Sequence, residues 1–325
     1  MKSFEYAAPK TLKEAADLLG EKWGETEILA GGTDLVTALK QRVTEPKRVV
    51  SLRNVSELKG IEIEKNGVRI HAMTTLDELA ADKNVQQHFP SLVTAARGVG
   101  SPQLMSMGTV GDDLCQRPRC WYFRNRLGLP GRQESASLIR EGDNRYHAIF
   151  GNDGHALFVS PSSFGPALLA LDATVTVTGP RGKSRKIGAE KFFQSPKNEN
   201  ERETALKPDE ILTDIFIPIQ GLRNATYEVR HRQGLDWPYV TATVAYQLKT
   251  GTASDARVVL GQVAPVPWRA PGASKDLNGA KVDAQAAARC GAAAAQGAKP
   301  LSKNGYKTQL VKAAVKRAVL AAAQT

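Results

Sequence analysis

The chain has 325 residues, 42% of them apolar and 24% charged, which is enough for two or three subdomains with real cores and too apolar for intrinsic disorder. No apolar run reaches the roughly 18 residues of a membrane span, and Met1 to Tyr6 lack a basic-plus-apolar export signal, so a cytoplasmic location without a transmembrane segment is expected. The net charge of +11 allows an anionic partner, but Lys and Arg run from Lys2 to Arg317 instead of gathering on one element with interleaved aromatics, which argues against nucleic acid. Cys115, Cys120 and Cys290 are too few and too scattered for a disulfide framework or a complete metal site.

Apolar residues at Leu12, Ala15, Ala16 and Leu19 predict a helix closed by Gly20. A strand over Glu27 to Ala30, the turn Gly31-Gly32-Thr33-Asp34, a helix through Leu35, Val36 and Leu39, and a strand over Arg48 to Leu52 give the alternation of a small α/β unit. Next, Ile61 to Glu64 and Val68 to His71 flank Asn66-Gly67, the residue pair of a type I′ hairpin turn. Thr75 and Glu78 form a capping box for a helix carrying Leu76, Leu79 and Ala80, and a further helix follows over Ser91 to Arg97.

Gly98 to Asn152 is rich in Gly, Pro and Arg and lacks periodicity, so it is expected to be irregular and functional. Beyond it, Ser160 to Ser163 cap a helix over Ala167 to Leu171, and strands are expected over Thr174 to Val177, Ile211 to Ile217, Tyr239 to Leu248 and Arg257 to Val263. The Ala-rich tail from Asp283 is helical, with Leu310, Val311, Ala314, Val315 and Ala318 on one face.

Two segments suit an anionic ligand. Gly31-Gly32-Thr33-Asp34 lies between a strand and a helix, where glycines let phosphate approach the backbone, although it is not a G-x-G-x-x-G fingerprint and a plain chain reversal would use the same residues. Met107-Gly108-Thr109-Val110-Gly111-Asp112-Asp113-Leu114 is a second glycine loop, and the two could clamp one pyrophosphate if the carboxylates point away, cap a helix or are offset by arginines. Arg117, Arg119, Arg124, Arg126 and Arg132 precede the next acidic residue, Glu134.

Phe4, Pro9, Leu29-Ala30-Gly31-Gly32-Thr33-Asp34-Leu35, His71-Ala72-Met73-Thr74-Thr75, Gly108-Thr109-Val110-Gly111 and the run from Leu260 to Ala270 occur in an order that resembles the FAD-binding subunits of the xanthine dehydrogenase family. The resemblance implies an α+β protein: a two-lobed FAD-binding domain of the vanillyl-alcohol-oxidase (PCMH) type over 1–173, with lobes of about 1–57 and 58–173, then a C-terminal α+β domain over 174–325. It implies FAD held by Leu29, Ala30, Gly31, Gly32, Thr33, Asp34, Leu35, Gly108, Thr109, Gly111, Asp112 and Arg232. It also implies a large subunit with a molybdenum cofactor, a small subunit with 2Fe-2S clusters, and an external electron acceptor.

The run Leu114-Cys115-Gln116-Arg117-Pro118-Arg119-Cys120-Trp121-Tyr122-Phe123-Arg124 is similar to the branch that carries a further four-iron cluster in an inserted loop. Cys120 sits at a ligand position of that branch, but the loop through Gly131, Ser135, Ser137, Asn152 and His155 has no further cysteine, so no 4Fe-4S cluster is expected here. Where the family usually reads Gly-Gly-Asn this chain has Gly111-Asp112-Asp113; where it often reads His-Pro-Ser-Asp it has Ser160-Pro161-Ser162-Ser163; and Glu228 replaces a frequent lysine, while Arg232 and Asp236 fit. Cys115 to Arg132 is expected either to dock a partner or shield the flavin through Trp121, Tyr122, Phe123, Arg124 and Arg126, or to pack those aromatics inward as a satellite core. A structural subunit that has lost FAD and a stand-alone flavin oxidase stay open as alternatives.

Overall fold

Thr11 opens the helix Leu12–Asp17 by accepting the Glu14 amide (3.2 Å), and Ala15 and Ala16 pack with Val50, Leu52, Val55 and Leu58. Parallel strands need crossovers, and that helix together with Leu35–Lys40 supplies them for Glu5–Ala7, Arg48–Ser51 and Thr26–Leu29, which pair in parallel in that spatial order. The computed structural model describes residues 1–133, 136–232 and 236–325, so Glu134 and Ser135 of the basic segment lie outside the described residues.

The second unit is a five-stranded antiparallel sheet in the order Ile61–Glu64, Gly67–His71, Ile211–Pro218, Thr174–Thr178, Ser184–Gly188. Helices Leu76–Ala81, Pro90–Arg97 and Gly165–Ala170 share its core, and the capping box between Thr75 and Glu78 is formed. The sheet's hydrogen bonding runs straight across the 173/174 position where a domain boundary is expected from the sequence.

The hairpin forms, but its turn differs from the expectation. Glu64 pairs with Gly67, so Lys65 and Asn66 make the turn, and neither has the positive φ of a type I′ turn. Gly67 is a strand residue that lets the neighbouring strand approach: a Cβ there would lie 2.5 Å from the Ile217 carbonyl oxygen. The stretch expected to be irregular carries short helices at Pro102–Met107, Val110–Cys115, Trp121–Arg124 and Leu138–Glu141; Ser101, Thr109 and Ser137 cap three of them, local bonds that hydrophobic periodicity does not report.

The C-terminal unit is a four-stranded antiparallel sheet in the order Arg223–Val229, Val240–Lys249, Thr252–Gly261, Trp268–Arg269. Lys307–Ala322 lays Val311, Ala314, Val315, Ala318, Val319 and Ala322 into its core, with Pro271–Leu277 and Ala284–Ala294 beside it. Tyr246 is fully buried and satisfies its hydroxyl by donating to the Val319 carbonyl at 2.9 Å. Among the described residues no helix is long and apolar enough to cross a membrane.

Candidate functional site

The strand Thr26–Leu29 runs through Ala30 to Asp34 into the helix Leu35–Lys40. Two glycines make this turn possible for different reasons. Gly32 has φ +79°, which a valine could adopt only under strain, and Gly31 lies so close to the second loop that a Cβ would sit 1.9 Å from the Met107 carbonyl oxygen. The two loops therefore abut, as a shared anion site requires; a Cβ on Gly108 would lie 3.6 Å from Thr33 Oγ1.

The second loop, however, has most of its amides engaged. Gly108 donates to the Leu104 carbonyl (2.7 Å), Val110 to Thr74 (3.0 Å), Gly111 to Ala72 (2.8 Å), Asp113 to the Thr109 carbonyl (3.1 Å) and Asp112 to Thr109 Oγ1 (3.1 Å). The expectation that both loops present N–H groups to a pyrophosphate thus needs correction for this loop: Gly111 packs closely on Ala72 and Gly108 on the Leu104 carbonyl, where added Cβ atoms would meet the carbonyl oxygens at 3.0 and 2.8 Å. Its two carboxylates divide the work. Asp113 is buried and accepts from Ser162 Oγ (2.5 Å) and from the amides of Ser163 and Phe164 (3.1 Å each), while Asp112 reaches across to accept the Gly31 amide at 2.8 Å. Burial, with Asp34 nearby, pushes the Asp112 carboxyl up to about 6.

Asp34 is the anchor of the basic segment. It accepts from the Arg117 amide (3.0 Å), from Arg119 (2.9 Å) and from Arg124 (2.9 Å), with only 11% of its own side chain and 12% of that of Arg124 exposed. Arg117 pairs with Glu203 at 3.0 Å and stacks on Phe123, which is buried with Leu129, Ala156 and Phe158. Of the two expectations for this segment, the inward satellite core holds for Phe123, and Arg124 belongs to the interior; Arg126 is exposed.

A groove between the first lobe and the five-stranded sheet is lined by Ala30, Asp34, Leu35, Gly111 and Asp112, with apolar walls that include Ile28, Leu52, Met73, Ile211 and Leu212. Gly31, Gly32, Thr33, Gly108 and Thr109 form the adjoining turns, and Leu29 ends the strand, its carbonyl accepting from the Leu52 amide at 3.0 Å. Arg232 does not join them: its side chain is 78% exposed and pairs with Asp236 at 3.2 Å, at a second cavity shared with Cys120, His147 and Lys307. That cavity went unnoticed in the sequence. Lys307 is fully buried and donates to the carbonyls of Tyr146 (2.9 Å) and Gln262 (2.8 Å), burial bringing its amine down to about 7; burial likewise brings His147, whose Nε2 lies 3.2 Å from Cys120 Sγ, down to about 4. Glu27, inside the groove, is raised by burial and accepts from Thr44 at 3.0 Å.

A glycine turn beside an apolar groove fits a dinucleotide, while the carboxylate of Asp112 on the Gly31 amide opposes a phosphate there. The family of the FAD binding domain in molybdopterin dehydrogenase matches residues 2–220, and that of the CO dehydrogenase flavoprotein C-terminal domain matches 225–322. The aldehyde oxidoreductase FAD-binding subunit PaoB of Escherichia coli (strain K12) is 31% identical over 285 residues, 86% of this chain and 87% of that protein. The carbon monoxide dehydrogenase medium chain of Hydrogenophaga pseudoflava is 30% identical over 325 residues, covering 98% of this chain and 96% of its own. A solved structure of that organism's carbon monoxide dehydrogenase overlays with a TM-score of 0.77 at 28% identity, over 99% of this chain and 98% of the other. With two family domains end to end on a matching fold, the chain belongs to the FAD-binding medium subunits of the xanthine dehydrogenase and carbon monoxide dehydrogenase family.

Proposed function

We propose that this chain is the electron-transfer subunit of a heteromeric molybdenum hydroxylase, holding FAD and passing electrons between the 2Fe-2S clusters of a small partner subunit and an external acceptor, with the molybdenum cofactor in a large subunit. The observation that carries this reading is the abutment of two glycine turns at the mouth of an apolar groove between two lobes, in a chain of this family. Bound FAD would supply the exchange between one-electron and two-electron carriers.

The chain's own residues would position it. Gly31 and Gly32 keep the turn free of side chains, so a dinucleotide phosphate can approach the backbone between Ala30 and Leu35. Asp34, tied to three arginine groups, fixes the turn against the basic segment, and the segment closes one side of the groove through Arg117 and Phe123. Val110 and Gly111 hold the second turn against the chain that follows the hairpin, through their amides on the Thr74 and Ala72 carbonyls, and Thr109 fixes the turn internally. We further place the division between flavin and C-terminal domains near residues 220–225, after the last strand of the five-stranded sheet.

The test is the cofactor content of the chain purified together with the subunits encoded with it. Stoichiometric FAD, released on denaturation and identified by chromatography, is expected. A stable complex with iron–sulfur and molybdopterin subunits but no FAD would overturn the relay and leave a structural subunit.

A further inference from the structure

We propose that Asp112 is an internal anion that holds the phosphate position of the first glycine turn, so that FAD binds only in competition with it and with uptake of a proton. The proposal rests on the assignment of FAD to this turn. A carboxylate oxygen accepts the same backbone N–H groups that a phosphate oxygen would, and Asp112 Oδ2 accepts the Gly31 amide at 2.8 Å. A Cβ built on Gly31 would meet that same oxygen at 2.8 Å, so Asp112 shares with the Met107 carbonyl oxygen, at 1.9 Å, the space that the missing side chain leaves.

The geometry is held from below. Thr109 Oγ1 accepts the Asp112 amide at 3.1 Å and the Ala72 carbonyl accepts the Gly111 amide at 2.8 Å, which fixes the backbone from which the carboxylate reaches across. The ionisable groups facing Asp112 are Asp34 from the first turn, Asp113 and Cys115 from its own helix, and Arg119 from the basic segment. Arg119 is already paired with Asp34, and Asp34 also takes Arg124, so among the described residues Asp112 has no ion-pair partner of its own. An arriving phosphate therefore meets an anion held, among the described residues, by the backbone of the turn and by no cation. Protonation removes that repulsion and weakens the hold on Gly31, and burial sets its midpoint near 6.

The experiment uses the full chain freed of flavin, titrated with FAD and followed by quenching of flavin fluorescence at pH 6, 7 and 8. For the wild type, Kd is expected to rise about tenfold for each pH unit above about 6, as one-proton linkage requires. Asp112→Gly should bind about a hundredfold tighter than wild type at pH 8, two such units, and lose the slope. Asp112→Asn keeps the side-chain size and should also lose the slope, which guards against a folding defect in the glycine variant. Wild-type affinity independent of pH and equal to that of Asp112→Gly would overturn the role of Asp112 and leave FAD assigned. A slope retained in Asp112→Asn would overturn it by assigning the proton to another group. Failure of all three chains to bind FAD at any pH would overturn the flavin assignment together with the proposal.

Discussion

The turn at Ala30 to Asp34 and the turn at Gly108 to Asp113 contain similar residues, yet they are held in unlike ways. The second turn is closed on itself and on the hairpin: its amides go to the Leu104, Thr74 and Ala72 carbonyls and to Thr109. The first is held by charge from distant parts of the chain, with Asp112 on the Gly31 amide and two arginine side chains on Asp34. A glycine-rich motif therefore states that backbone comes close to something, without stating whether that something is a ligand or the protein's own carbonyls.

Three substitutions test how far this contrast goes. Asp34→Asn should have the largest effect, a loss of about 3–5 kcal/mol in denaturant unfolding, because it leaves Arg119 and Arg124 facing one another with their shared anion gone. A loss below about 1 kcal/mol would mean the guanidinium groups reach water and the first turn does not depend on them. Thr109→Ala removes the N-cap of Val110–Cys115 and should lower stability by about 1 kcal/mol, since the backbone bonds of the second turn stay in place. A loss as large as that of Asp34→Asn would erase the distinction between the turns. Arg126→Glu, on the exposed rim of the basic segment, should change stability by less than about 0.5 kcal/mol. It is the cleaner probe of partner docking there, because reversing Arg124 would break the interior pair with Asp34 and mix the two effects. A stability change above about 1 kcal/mol for Arg126→Glu would extend the interior role to the rim.

Much of the scaffold was legible because its signals are local. The capping box at Thr75 and Glu78, the strand ending at Pro218 and the apolar face from Val311 to Ala318 all report burial or capping within a few residues. The helix Lys83–His88 was missed although Asp82 caps it through the amides of Asn84 and Val85, a signal hidden by the short length of the apolar pattern. At the site, the two glycine turns could be found from composition and order, but the partners of their carboxylates could not. Asp34 meets Arg117 and Arg124 across 83 and 90 positions of sequence, and charge patterning carries no register over that distance. Lys307 is buried on carbonyl groups where helical periodicity would set a solvated first turn.

The contact between Asp113 and the Ser162-Ser163 pair ties together the choice of residue at two distant positions. The pattern the chain resembles usually has Asn at position 113 and often Asp at 163; here Asp stands at 113 and Ser at 163, and Asp113 Oδ2 accepts the Ser163 amide at 3.1 Å. The two departures amount to one carboxylate moved across a buried contact. An Asp at 163 beside Asp113 would bury two like charges side by side, and an apolar residue at 113 would leave the Ser163 and Phe164 amides without their acceptor. Positions 113 and 163, 50 residues apart, are thereby coupled: which residue one of them tolerates depends on which residue occupies the other.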